Sequence, residues 1–131
     1  MNKKILITAS ALGILSIALG AFGAHGLKEL ITVNAIQTFE IGVRYQMYHA
    51  FFLLFVGNTS YVTIKTKKIV YYLTLIGVLF FSGSIYGLAT NDLTNFDFNF
   101  FGFITPLGGF FLILAWVFVF IDFIKMSSKN Q

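Results

Sequence analysis

The chain has 131 residues and a net charge of +4, with 57% hydrophobic and only 11% charged residues. A soluble domain carries about 25% charged residues, so this sequence has too few polar side chains to cover a water-facing surface. The composition excludes a disordered chain, a coiled coil and a nucleic-acid-binding domain, and the absence of cysteine excludes disulfides and thiol chemistry. The length allows one domain, which we expect to be a membrane protein.

Three long runs contain no charged residue, and each could cross a bilayer as a helix: residues 5–24, 69–90 and 98–121. At about 1.5 Å per residue, twenty residues extend roughly 30 Å, the thickness of the hydrocarbon core. Residues 41–62 are a fourth candidate, although they include an arginine and a histidine. No alternating pattern indicates a β-barrel. The sequence predicts an all-α domain over residues 1–131, an integral membrane four-helix bundle with helices near residues 4–25, 35–62, 69–91 and 100–124.

The N-terminal segment has a second interpretation as a cleaved signal peptide. Lys3 and Lys4 precede the first apolar run, and residues 21–23 offer small residues of the kind found at cleavage sites. The run is longer than the ~7–15 apolar residues of a signal peptide, which favours a retained helix.

The distribution of lysine and arginine predicts the orientation in the membrane. The side that holds both termini would carry seven lysines: Lys3, Lys4, Lys65, Lys67, Lys68, Lys125 and Lys129. The other side carries Lys28 and, at most, Arg44. Because cytoplasmic segments are enriched in lysine and arginine, we expect a multi-pass plasma-membrane protein with both termini in the cytoplasm. Trp116 is expected near the inner ends of the helices, where amphipathic rings prefer to lie.

The predicted connections differ in character. Residues 63–68 form a short basic turn, and residues 91–97 form a short turn on the other side. The connection formed by residues 28–40 is longer and partly apolar, so we expect it in the outer membrane–water interface. Asn34 with Gln37 resembles a capping box, which places the start of the second helix near Ala35.

Small residues indicate where helices approach closely. The first helix has one narrow face of Ala9, Gly13, Ser16, Gly20 and Ala24, and the third has the pair Gly83 and Gly87. Each could form an intramolecular contact or a dimer face, and the intramolecular contact is favoured. Similar short segments recur at nearly equal offsets, residues 50–53 and 109–112 among them, which is typical of two pseudo-repeated helical hairpins.

All four predicted helices place polar residues in the same outer half of the bilayer. These are His25 on the first helix, Arg44 and His49 on the second, Ser82, Ser84 and Tyr86 on the third, and Thr105 on the fourth. The predicted site consists of these residues without Tyr86. Ionisable groups inside a span usually face the bundle interior or a cavity, so this convergence predicts a ligand-binding pocket open to the outer face. Glu40 precedes Arg44 by four residues, which predicts an ion pair; a bound anion or lipid phosphate is the other candidate acceptor for Arg44.

The same residues admit a purely structural interpretation, in which their hydrogen bonds only hold the helices in register. Gly108 and Gly109 are likewise either a close packing contact or room for a ligand beside His49. No HxxxH or HxxE spacing indicates a metal, and no GxSxG, HExxH or phosphate-binding loop indicates catalysis.

The sequence therefore favours a non-enzymatic membrane protein without a cofactor, acting as an accessory or as a small-molecule- or lipid-binding component. The alternative is a small oligomeric transporter or channel in which His49 and Arg44 handle a proton or a small anion. The expected partners are the lipid bilayer, a homo-oligomer or larger membrane complex, and a lipid or small anionic ligand, but no nucleic acid.

Four segments carry a resemblance to a known family: residues 19–27 (LGAFGAHGL), 44–50 (RYQMYHA), 81–86 (FSGSIY) and 105–109 (TPLGG). They resemble the domain of unknown function 423 family, small bacterial inner-membrane proteins with eukaryotic relatives described as transmembrane protein 256. The resemblance implies a four-helix inner-membrane protein and no particular activity. Residues 91–101 match no pattern of that family.

Overall fold

A computed structural model of the chain describes residues 1–93 and 102–126. It has four α-helices: α1 (Asn2–Ala24), α2 (Val33–Asn58), α3 (Ile64–Ala89) and α4 (Ile104–Ile124). Two single 3-10 turns, Leu27–Glu29 and Asn91–Leu93, follow α1 and α3. The described residues include no β-strand, so the predicted all-α class is confirmed. The predicted turn at residues 91–97 and the predicted helix start near residue 100 lie partly outside the described residues.

Three of the four helices are long and apolar enough to cross a membrane, judged by length and composition. They are α1 with the turn that follows it (Asn2–Glu29), α3 and α4. The remaining helix, α2, equals α3 in length at 26 residues but is less apolar and does not belong to this set. That α2 also spans the bilayer therefore stays a prediction.

The start of α2 differs from the predicted capping box. The helix begins at Val33, and the Thr32 hydroxyl accepts a hydrogen bond from the Ala35 N–H at 3.1 Å. The predicted capping box of Asn34 and Gln37 is therefore wrong, because Thr32 satisfies a free N–H of the first turn. The helix begins two residues before the position predicted near Ala35.

The start of α3 also lies earlier than predicted. Thr63 is the N-cap, and its hydroxyl accepts from the Thr66 N–H at 3.2 Å. The Asp122 carboxylate of α4 accepts from the Thr63 N–H and from the Thr66 hydroxyl, both at 2.9 Å. A carboxylate at a helix N-terminus is favourable because the helix dipole is positive there. Residues 64–68 are consequently the first turn of α3, and the predicted basic turn at residues 63–68 is wrong.

The helices pack in chain order, α1 on α2, α2 on α3 and α3 on α4. The small-residue face of α1 lies against α2: a Cβ placed on Gly20 would be 3.5 Å from Val43 Cγ1, and one on Gly13 would be 3.9 Å from Ala50 Cβ. This face is therefore used within the chain. Gly83 of α3 is exposed, with only Leu79 of its own helix near its built Cβ, at 4.0 Å.

Contacts at one end of the bundle bring the two ends of the chain together. The Lys67 ammonium at the start of α3 donates to Asn2 Oδ1 at the start of α1, at 3.0 Å. Asp122, near the end of α4, contacts the Thr63 cap. We call this end of the bundle the terminal end. The opposite end is the loop end, and it holds Ala24, Val33, Ala89 and Ile104. Which end faces the cytoplasm stays a prediction, as does the pseudo-repeat of the two hairpins.

Candidate functional site

The structure does not gather the six predicted site residues in one pocket. His25 and Arg44 are exposed, whereas His49 and Ser82 are buried. Arg44 and His49 are five residues apart on α2, which turns their side chains about 140° away from each other at 3.6 residues per turn. A pocket shared by Arg44 and His49 is therefore not formed, and a ligand-binding role for the six residues stays a prediction.

Buried hydrogen bonds instead connect three helices through Gln46 of α2. Its Nε2 donates to the Leu12 carbonyl of α1 at 3.0 Å, and its Oε1 accepts from the Tyr86 hydroxyl of α3 at 2.7 Å. Gln46 is only 4% exposed, so both halves of its amide need these partners. The Leu12 carbonyl also accepts from the Ser16 hydroxyl of its own helix at 2.8 Å, so two side chains bond to this one carbonyl.

Two further hydrogen bonds, which predicted site residues form, join α3 to α2 and to α4. The buried Ser82 hydroxyl donates to the Gly42 carbonyl of α2 at 2.7 Å. The hydroxyls of Ser84 and Thr105 are 2.5 Å apart and link α3 to α4. These contacts agree with the structural interpretation of the polar residues, in which hydrogen bonds fix the register of the four helices.

His49 is held by hydrogen bonds at both ring nitrogens. Its Nδ1 lies 2.8 Å from the Tyr45 carbonyl oxygen, and the Trp116 indole N–H of α4 donates to its Nε2 at 3.1 Å. A carbonyl only accepts and an indole N–H only donates. The arrangement therefore fits a neutral imidazole that carries its proton on Nδ1, and neither nitrogen is free for another ligand.

The predicted ion pair of Glu40 and Arg44 is present on the surface of α2. Arg44 Nη2 lies 3.6 Å from Glu40 Oε2, and the two side chains are 59% and 47% exposed. This separation is longer than a hydrogen bond, and exposed pairs of this kind contribute about 0–1 kcal/mol. Within residues 1–93 and 102–126, no other acidic group lies within salt-bridge distance of Arg44.

An apolar groove of about 630 Å³ lies beside His49, between α2 and α4. Its lining consists of Tyr45, His49, Phe81, Gly109, Leu112, Ile113, Trp116, Val117 and Phe120. A second hollow of about 520 Å³ shares Trp116 and Phe120 with it and continues along the same two helices to Phe55 and Phe123. We call the two together the α2/α4 groove.

The adjacent glycines of α4 have different roles. A Cβ on Gly108 would lie 2.4 Å from the Phe81 backbone nitrogen, so Gly108 permits close contact between α3 and α4. Gly109 lines the groove, and a Cβ there would meet Phe81 at 3.6 Å, which is ordinary contact. The close-packing interpretation therefore applies to Gly108, and a ligand beside Gly109 and His49 stays a prediction.

The six predicted site residues do not include Gln46, Trp116 or Tyr86, although Tyr86 is among the polar residues of the outer half. Gln46 and Trp116 supply the interhelical bonds described above, and Tyr86 completes the bond to Gln46. The sequence indicates that Gln46 faces other helices, because it lies on the same helical face as Gly42 and Ala50, which are buried. Trp116 was expected at the membrane interface, and no signal in the sequence indicates its contact with His49. No group of His, Asp or Glu in the described part of the chain is arranged to hold a metal ion.

Comparison with known proteins gives a consistent result. Residues 19–109 match the model of a family described as "Protein of unknown function (DUF423)". The UPF0382 membrane protein SH2409 of Staphylococcus haemolyticus is 35% identical, over 94% of this chain and 97% of the relative. The UPF0382 membrane protein YwdK of Bacillus subtilis is 34% identical over 94% and 98% of the two chains, and the UPF0382 inner membrane protein YgdD of Escherichia coli K12 is 30% identical over 98% and 95%. No solved structure matches the chain.

Proposed function

Since the chain belongs to the DUF423 family of membrane proteins, we propose that it is a non-enzymatic lipid-binding protein of the inner membrane that holds an acyl or isoprenoid chain in the α2/α4 groove. The observation that carries this proposal is the groove itself. At about 630 Å³ it has the volume of a small-molecule site, and its lining is apolar and aromatic.

The hydrogen bonds at His49 support an apolar ligand over an ionic one. Both ring nitrogens are already bonded, so His49 lines the groove without a free donor or acceptor for a polar ligand. Transport of a proton or anion by His49 and Arg44 has less support, because the two side chains lie on different faces of α2. Gly109 and Trp116 lie two turns apart on α4, and both line the wall that a chain would contact.

Trp116 provides a direct test because it is the only tryptophan in the chain and it lines the groove. The protein is reconstituted in vesicles that contain phospholipids with brominated acyl chains, which quench tryptophan fluorescence on contact. We expect strong quenching of the wild-type protein and markedly weaker quenching of Gly109→Leu, whose side chain would occupy the groove.

Gly83→Leu is the matched control, since Gly83 is an exposed helical glycine of α3 that does not line the groove. The brominated lipid should quench the Trp116 fluorescence of Gly83→Leu as strongly as that of the wild type. Equal quenching of Gly109→Leu and Gly83→Leu would show that Trp116 meets only the surrounding lipid, and the proposal would then fail.

A further inference from the structure

We propose that Arg44 binds the phosphate of a phospholipid headgroup whose ammonium group faces Glu40, and that the acyl chain of this lipid occupies the α2/α4 groove. This inference rests on the proposed function and names its ligand class, a zwitterionic phospholipid of the phosphatidylethanolamine type.

The first observation is that the guanidinium of Arg44 has few hydrogen-bond and charge partners. A guanidinium has five N–H donors, and within the described residues its one charged contact is Glu40 at 3.6 Å. The side chain is 59% exposed on a helix that packs against apolar neighbours. A cation on a surface that faces lipid is disfavoured unless it reaches an anion or the headgroup region.

The depth of Arg44 suits a headgroup. Its neighbour Val43 is level with Gly20 of α1, which lies five residues, or about 8 Å, before the loop end of that helix at His25. Side chains lean toward the N-terminus of their helix, and the N-terminus of α2 is at the loop end. The guanidinium therefore reaches toward the membrane surface at that end, where lipid phosphates lie.

The groove begins next to this cation along α2 and extends away from the loop end. Tyr45 follows Arg44 and lines the groove, and Tyr48 lies one helical turn from Arg44 on the same face. From Tyr45 to Phe55 the groove follows ten residues of α2, or about 15 Å, which equals half of the ~30 Å hydrocarbon core. A phosphate at Arg44 thus places one acyl chain of the same lipid along the groove through a single leaflet.

Glu40 determines which headgroup fits. Its carboxylate lies one helical turn closer to the loop end than Arg44 and would repel a second anionic group on the lipid. A headgroup that carries an ammonium beside its phosphate complements both side chains at once. Phosphatidylethanolamine has this pattern, whereas phosphatidylglycerol has the phosphate alone and diacylglycerol has neither charge.

The test compares these three lipids as brominated quenchers of Trp116, each mixed at the same low fraction into vesicles of unbrominated phosphatidylglycerol that carry the full-length protein. For the wild type we expect relative binding in the order phosphatidylethanolamine, phosphatidylglycerol, diacylglycerol. Arg44→Gln should lower the preference for phosphatidylethanolamine over diacylglycerol by about fivefold, the effect of one half-exposed charged contact. Glu40→Gln should remove the preference for phosphatidylethanolamine over phosphatidylglycerol.

Lys28→Gln is the control, because Lys28 is an exposed cation at the loop end that lines neither part of the groove. It should bind like the wild type. An unchanged phospholipid preference in Arg44→Gln would overturn the inference, and a wild-type preference for phosphatidylglycerol would overturn the role of Glu40. Loss of the preference on addition of inorganic phosphate would assign the site to free phosphate and overturn the lipid assignment.

Failure of the inference and failure of the proposed function give different results. If the groove does not bind a chain, Gly109→Leu leaves the quenching by all three lipids unchanged. If the groove binds a chain but Arg44 does not select the headgroup, Gly109→Leu reduces quenching by all three lipids and Arg44→Gln alters none of their ratios.

Discussion

The indole N–H of Trp116 donates a hydrogen bond to Nε2 of His49 at 3.1 Å, and this bond joins α4 to α2, which are not neighbours in the packing order of the helices. The two rings meet edge to face, with centroids 6.2 Å apart. Since His49 is only 4% exposed, loss of the indole would leave a buried acceptor without a partner.

We therefore expect Trp116→Phe to lower the free energy of unfolding by about 1–3 kcal/mol, the cost of an unsatisfied buried polar group. Circular dichroism in detergent measures this change without relying on tryptophan fluorescence. A double-mutant cycle with His49→Phe isolates the contact: the double variant should be less destabilised than the sum of the two single variants. Additive effects would show that the bond contributes nothing.

Gln46 should be the most sensitive polar residue of α2. Gln46→Leu removes the bonds to Leu12 and Tyr86, and at about 0.6 kcal/mol for each interhelical bond in a membrane we expect a loss of roughly 1–2 kcal/mol once the unpaired Tyr86 hydroxyl is included. Thermal unfolding in detergent, followed by the loss of helical signal, provides the measurement. Gln37→Leu, the same substitution at an exposed position of α2, should leave Tm nearly unchanged. Equal values of Tm for the two variants would contradict the structural role of Gln46.

Gly108 and Gly83 should respond in opposite directions to alanine. In Gly108→Ala the new methyl group would lie 2.4 Å from the Phe81 nitrogen and 2.9 Å from the Gly77 carbonyl oxygen, so α3 and α4 must separate. Overpacking of this kind costs about 1–3 kcal/mol. Gly83→Ala would meet only Leu79 of its own helix, at 4.0 Å, and should stabilise α3 by up to about 1 kcal/mol through its helix propensity. The same unfolding assay compares the two, and a stabilised Gly108→Ala variant would show that the helices are not in close contact there.

The orientation in the membrane can be tested with single cysteines, because the chain has none of its own. Ser60 lies in the α2–α3 link at the terminal end, and Asn34 lies at the start of α2 near the loop end; both are exposed. With the lysines on the cytoplasmic side, a membrane-impermeant thiol reagent added to intact cells should label Asn34→Cys and spare Ser60→Cys. The reverse pattern would invert the predicted topology.

The sequence alone determined the helical class and the membrane environment, because long uncharged runs have few other stable structures in lipid. It also determined the Glu40–Arg44 pair, since a separation of four residues on one helix is a local relation. The helix starts were harder to predict from the sequence. The N-cap Thr63 donates its N–H to Asp122, which is 59 residues away from it in the chain.

Only the tertiary structure decided which polar residues meet. Arg44 and His49 are close in sequence and face different directions, whereas His49 and Trp116 are 67 residues apart and share a hydrogen bond. The depth of a residue in the bilayer can be counted along its helix from a charged boundary. The direction in which its side chain faces a neighbouring helix, and the residue that it contacts there, depend on how all four helices pack. For the same reason the α2/α4 groove could not be predicted from residue types, because its shape depends on how α2 and α4 both pack on α3.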